Sequence, residues 1–154
     1  MDINHEIQEV IALTAHESRR HDVVVRTQLD GSLPRVGGDR VQLQQVLLNL
    51  VVNAIEAMSA VQDRPRLLTI ASARRGSANA VLVEVRDSGS GLDPSGAEQV
   101  FNAFYTTKPD GIGIGLSISR SIVEAHGGRL SASRNEPHGA VFQLSLPVAE
   151  EGTP

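Results

Sequence analysis

Between residues 42 and 58, apolar side chains fall at Val46, Leu47, Leu50, Val51, Ala54 and Met58. That spacing puts them on one face of an α-helix. Asp39 is an N-cap candidate for this helix, which the pattern carries to about residue 61. A first helix is expected over residues 3–20, capped by Asp2, with Ile7, Val10 and Ile11 turned inward and Ala15 as a further candidate. Strands are expected at 23–28, 67–75, 80–86, 129–134 and 140–146. Turn residues join them in pairs, Gly76-Ser-Ala-Asn79 in one case and Glu136-Pro137-His138-Gly139 in the other. Asp93-Pro94 opens a short helix, with proline in its first turn. Another helix runs from about residue 113 to 126 and stops at Gly127-Gly128. These elements predict an α+β fold, a two-layer sandwich whose mixed, mostly antiparallel sheet carries helices on one face. Residues 1–148 read as one domain and 149–154 as a loose tail.

Three segments carry candidate chemistry. Asp87-Ser-Gly89-Ser-Gly91-Leu92 places a carboxylate at the end of the apolar strand Val81-Leu-Val-Glu-Val85, then frees the backbone with two glycines. Lys108-Pro-Asp-Gly111-Ile-Gly113-Ile-Gly115-Leu116 sets three alternating glycines before a helix, where free N–H groups and the dipole favour phosphate. In the long helix, Asn49 and Asn53 stand four apart and share a face. An amide oxygen suits Mg²⁺, which takes its other ligands from water and phosphate. The same pair would also sit naturally on a solvated helix face. The glycine run follows a polar loop rather than a strand, so it does not fit a dinucleotide fingerprint.

In this order, the segments resemble the catalytic ATP-binding domain of sensor histidine kinases. The wider family includes gyrase B, the heat-shock chaperone ATPases and MutL. The asparagine helix is similar to its N box, Asp87-Ser-Gly89-Ser-Gly91 to its G1 box, and Val100-Phe101-Asn-Ala-Phe104-Tyr105-Thr-Thr-Lys108 to its F box. Gly111-Ile-Gly113-Ile-Gly115-Leu116-Ser-Ile-Ser119 is similar to its G2 box. Phe104-Tyr-Thr-Thr-Lys108 and Ile122-Val-Glu-Ala-His126-Gly-Gly128 resemble the oxygen- and dicarboxylate-sensing type most. The resemblance implies a Bergerat-type fold and ATP with Mg²⁺ as cofactors. It implies that Asp87 accepts a hydrogen bond from the adenine amino group and that Asn53 serves the metal. It further implies nucleotide contacts from Asn49, Glu56, Ala57, Gly89, Gly91, Leu92, Phe104, Thr106, Thr107, Lys108, Gly111, Gly113, Gly115 and Leu116. Lys108 is the phosphate cation and, with Asn49, a catalytic residue. Residues 103–112 would form a lid, while Phe101 reads as core.

Hydrolytic members of the wider family carry a glutamate where Asn49 stands. An amide cannot act as a general base near neutral pH, so the change favours transfer to a protein imidazole over attack by water. Relatives often have threonine at the position of Val141, so the water arrangement around adenine is expected to differ here.

The remaining composition narrows partners. A net charge of −4 argues against a nucleic-acid binder, and the absence of cysteine excludes disulfides and thiolate metal sites. No apolar run is long enough for a transmembrane helix, and the chain reads as cytoplasmic, without membrane contact, and monomeric. His5, His16, His21, His126 and His138 all fall outside the family's phosphoacceptor pattern, and His126 reads as a helix C-terminal residue favoured by the dipole. The expected acceptor is therefore a histidine on a separate dimerising helical hairpin of the same kinase, with relay to a response-regulator aspartate. Two other classes stay open: a stand-alone serine kinase of the anti-sigma-factor type, and a non-catalytic nucleotide-sensing module.

Overall fold

A computed structural model describes residues 1–76, 79–91, 101 and 115–149 of the chain. In chain order the elements are α1 (Ile3–Leu13), α2 (Ala15–Arg20), β1 (Val23–Gln28), α3 (Arg40–Ala57), β2 (Arg66–Arg75), β3 (Ala80–Arg86), α4 (Gly115–Ala125), β4 (Arg129–Arg134) and β5 (Ala140–Pro147). The five strands form one sheet in the order β1-β2-β3-β5-β4. Only the β1–β2 pairing is parallel; β2–β3, β3–β5 and β5–β4 are antiparallel. The expected two-layer, mostly antiparallel sandwich is therefore what the chain adopts. The short helix expected at Asp93-Pro94 lies outside the described residues.

The sheet alternates as strand geometry requires. Val81, Val83 and Val85 of β3 are buried and face Leu146, Leu144 and Phe142 across β5. Leu130 and Ala132 of β4 continue that layer opposite Leu144 and Phe142. On the other face, Glu84 accepts from Arg86 and from Gln143, so this side is covered by polar pairs.

Helix α3 lies over the buried face, between α1 and α4. Its stripe of Val46, Leu47, Leu50, Val51, Ala54 and Met58 is at most 2% exposed, and Leu43 and Ile55 extend it. Asp39 caps α3 by accepting from the Val41 and Gln42 amides, and Asp2 caps α1 by accepting from Asn4. Both caps stand where the sequence placed them, although α3 ends at Ala57, before residue 61.

The first helix differs from expectation. It breaks at Thr14, whose hydroxyl donates back to the carbonyls of Val10 and Ile11 and offers the backbone an alternative to the next helical turn. The inner face also includes a charge: Glu6 is 2% exposed. Arg40 and Gln44 of α3 donate to it, and both also reach Glu9. Arg40 beside Glu9 holds that carboxyl below its ordinary range. Pairing across α1 and α3 is what permits a buried carboxylate there.

The two faces of α3 should respond differently to truncation. Leu50→Ala, at 0% exposure, is expected to cost about 2–5 kcal/mol. Val41→Ala, at 75% exposure, should change stability by no more than about 0.5 kcal/mol. Urea unfolding measures both, and equal costs would contradict the packing of this helix.

Candidate nucleotide site

The end of β3 delivers Asp87 to a turn held by contacts from several segments. Its carboxylate is buried, and Oδ1 accepts from the backbone amides of Gly89 at 2.8 Å and Ala140 at 3.2 Å. Oδ2 takes no hydrogen bond from a described residue. The backbone of Asp87 is held as well: its amide donates to the Ala140 carbonyl, and its carbonyl accepts from Asn135 Nδ2 at 3.0 Å. Ser88 Oγ accepts from the Leu67 amide and donates to the Pro65 carbonyl, tying the turn to the start of β2.

Glycines make the close approaches possible. A Cβ at Gly89 would stand 2.6 Å from the carbonyl oxygen of Ala57, the last residue of α3. A Cβ at Gly139 would overlap the Asp87 carbonyl, and Gly139 also has φ +100°, a conformation side chains rarely adopt. The predicted residues Asp87, Gly89 and Ala57 therefore meet directly. Gly91 lies on the same cluster, against the Gly139 carbonyl.

The remaining candidates divide. Asn49 and Asn53 are half-buried and Glu56 exposed along α3. Asn49 Nδ2 donates at 3.1 Å to Ser119 Oγ on α4, which is fully buried. Gly115 opens α4, and Leu116 packs against the core. Phe101 is buried, its ring set edge-on to Phe142 at 6.1 Å, as a core residue should be. Leu92, Phe104, Thr106, Thr107, Lys108, Gly111 and Gly113 lie outside the described residues. His126 sits at the end of α4 as expected, with Nδ1 on the Ile122 carbonyl, while Nε2 accepts from the Asp39 amide. Asn135 carries no signal in the sequence, because it acts through a partner far along the chain. Ser88 and Ser119 lie within the glycine segments, but nothing local gives their roles, which also depend on distant partners.

Burial is the main influence on the Asp87 carboxyl and raises its pKa; the Gly89 and Ala140 amides pull in the opposite direction. An acidic group kept dry at the mouth of a strand, with donors fixing one oxygen, is a strong acceptor for an amine.

The profile of the "Histidine kinase-, DNA gyrase B-, and HSP90-like ATPase" family matches residues 38–150. The chain belongs to that family, and its fold is that of a histidine kinase catalytic domain. Among curated proteins it is similar to Sensor protein TdiS of Thauera aromatica, 42% identical over 96% of this chain and 27% of that protein. It is also similar to Sensor protein FixL of Bradyrhizobium diazoefficiens, 46% identical over 94% of this chain and 28% of that protein. The chain thus spans about a quarter of these relatives' length. Among solved structures, the catalytic domain of histidine kinase ThkA superposes with a TM-score of 0.83 at 35% identity, covering 96% of this chain and 93% of that one. A structure of ThkA in complex with response regulator protein TrrA matches at 32% identity, covering 99% of this chain and 42% of that one, with a TM-score of 0.81.

The raised pKa of Asp87 carries a stability consequence. The native state keeps the proton to higher pH than the unfolded chain, so stability falls as pH rises from the ordinary carboxylate value through the raised one. Asp87→Asn removes the charge yet keeps an oxygen for both amides. Without nucleotide, its melting temperature should exceed that of the wild type near neutral pH, and the gap should close on acidification. Thermal unfolding across pH tests this; a gap that widens in acid would contradict it.

Proposed function

We propose that this chain binds Mg·ATP and donates the γ-phosphoryl group to a histidine on a separate dimerising hairpin of the same kinase, for relay to a response regulator in the cytoplasm. The observation that carries the reading is the buried Asp87 carboxylate, anchored through Oδ1 in a turn whose Gly89 lies against the end of the asparagine helix. A carboxylate accepts the exocyclic amine of adenine and repels the carbonyl that guanine presents at the same place. Selectivity for adenine follows from that polarity.

The asparagine helix would serve the other end of the nucleotide. Asn53 offers a neutral amide oxygen, which fits Mg²⁺, a hard cation that keeps waters and phosphate oxygens; Glu56, one turn on, would order a metal-bound water. When bound, the ion neutralises charge on the transferring phosphoryl group. Lys108 would add a point charge at the glycine run, and Gly91, Gly111, Gly113 and Gly115 a cradle for phosphates. Leu92, Phe104, Thr106 and Thr107 would line the nucleotide. Asn49 holds α4 through Ser119 and offers no base to activate water, which favours transfer over hydrolysis.

Calorimetric titration should show Mg·ATP bound far more tightly than GTP. Asp87→Asn should weaken ATP binding by roughly 1.5–3 kcal/mol, the scale of a hydrogen bond to a charged group. Equal ATP and GTP affinities would remove Asp87 from the adenine site.

A second experiment reads transfer. With labelled ATP and the hairpin added in trans, the wild type should place acid-labile phosphate on histidine and hydrolyse little ATP alone. Asn53→Ala should abolish labelling while leaving adenine recognition largely intact. Rapid hydrolysis by the wild type with no labelled histidine would favour an ATPase.

A further inference from the structure

Arg64 lies between α3 and β2 in a polar stretch that marks it for nothing in particular. Its side chain is nevertheless only 20% exposed and turned onto the Asp87 turn. Nε donates to the Ser88 carbonyl at 2.9 Å and Nη2 to the Gly89 carbonyl at 2.7 Å. Nη1 pairs outward with Asp63 at 2.9 Å, on a side chain that is 75% exposed. A guanidinium is a rigid planar fork, so two bonds from one fork fix two successive carbonyls relative to each other.

The geometry of the peptide unit turns this clamp into a link with the carboxylate. The Ser88 carbonyl and the Gly89 amide belong to one planar unit, their C=O and N–H pointing in opposite directions. Arg64 holds the carbonyl edge. The amide edge donates to Asp87 Oδ1 at 2.8 Å. A charge-assisted bond at one edge polarises the unit and strengthens the bond at the other. If Arg64 were lost, the plane could rotate, and Oδ1 would depend on the longer bond from Ala140 at 3.2 Å. Support from the opposite side, where Asn135 holds the Asp87 carbonyl, does not restrain this plane.

We propose that Arg64 is a positioning residue for nucleotide selectivity. It acts through the Ser88–Gly89 peptide to hold the Asp87 carboxylate where it accepts a 6-amino group. The inference rests on the ATP reading of the site and adds to it a residue that does not touch the nucleotide.

The test is calorimetric titration of wild type, Arg64→Gln and Arg64→Lys with Mg·ATP and with the Mg²⁺ complex of purine riboside triphosphate, which lacks the 6-amino group. The wild type should prefer ATP. In Arg64→Gln, ATP affinity should fall about tenfold, the loss of one charge-coupled hydrogen bond, while purine riboside triphosphate binds nearly as before. Arg64→Lys keeps the charge without the fork and should lie between. It also serves if the glutamine variant does not fold. In either folded variant the acid limb of ATP binding should move to higher pH, because a weaker Gly89 bond lets Asp87 protonate sooner. A wild type without preference for ATP would sink the reading of Asp87 and this inference with it. A wild type with that preference, beside variants that retain it or lose both nucleotides equally, would overturn the role of Arg64 alone.

Discussion

Keeping an ionised carboxylate dry is the constraint around which this chain is arranged. A buried charge is tolerated only with donors in place, and for Asp87 these are two backbone amides from segments about fifty residues apart in sequence, Gly89 and Ala140. Backbone donors cannot change rotamer, so the carboxylate holds its direction as long as the Ser88–Gly89 peptide and the β5 register are held. The supporting contacts then follow in turn. The Ala140 amide is delivered because β5 pairs with β3 in a fixed register. The hairpin between β4 and β5 can approach because Gly139 has no Cβ to meet the Asp87 carbonyl. Gly89 can lie on the end of α3 for the same reason.

Such an arrangement draws stability from elsewhere. Near neutral pH the buried charge weakens the fold, as the upward shift of its pKa indicates. The apolar stripe of α3, packed on Val83, Val85, Phe142 and Leu144, is where that loss is offset. The Asp87 turn sits just past the end of β3, where the apolar layer stops and backbone amides are left to hold a carboxylate. Local unfavourable chemistry at a site, supported by a regular core beside it, is the expected division in a functional domain.

What could be read from the sequence was whatever repeats locally. The stripe on α3, the Asp2 and Asp39 caps, the five strands and the Asp87 turn all depend on neighbours a few positions away. Features that depend on distant partners were hidden. Nothing near Glu6 in the sequence signals its pairing with Arg40, 34 positions on. His126 reads as a helix end, yet it also accepts from the Asp39 amide, 87 positions away. Arg64 and Asn135 act on backbone carbonyls, which every residue carries, so no motif could reveal them. The parallel pairing of β1 with β2 was equally unreadable, because strand patterns state which face is buried and not which edge meets which. Leu92 and most of the F and G2 boxes lie outside the described residues.

Helices α3 and α4 are joined at two separated points, which fix one helix against the other. Asn49 meets Ser119 in the middle of α4, while His126 just past its end meets the backbone amide of Asp39, which caps α3. The His126 contacts require the neutral tautomer with the proton on Nδ1, since Nδ1 faces a carbonyl and Nε2 accepts from an amide. Two such ties, with the packing between the helices, fix where α4 begins relative to Asn53. The residue before the 102–114 segment is fixed too: Phe101 rests edge-on against Phe142, with the Arg120 guanidinium 4.7 Å from its ring centroid. Phe142 lies in β5, two residues beyond the Ala140 amide that holds Asp87. Both flanks of 102–114 are therefore referenced to the frame that orients the carboxylate. Within that frame, the spacing of the Asp87 carboxylate and the Asn53 amide is set by strand register and helix packing.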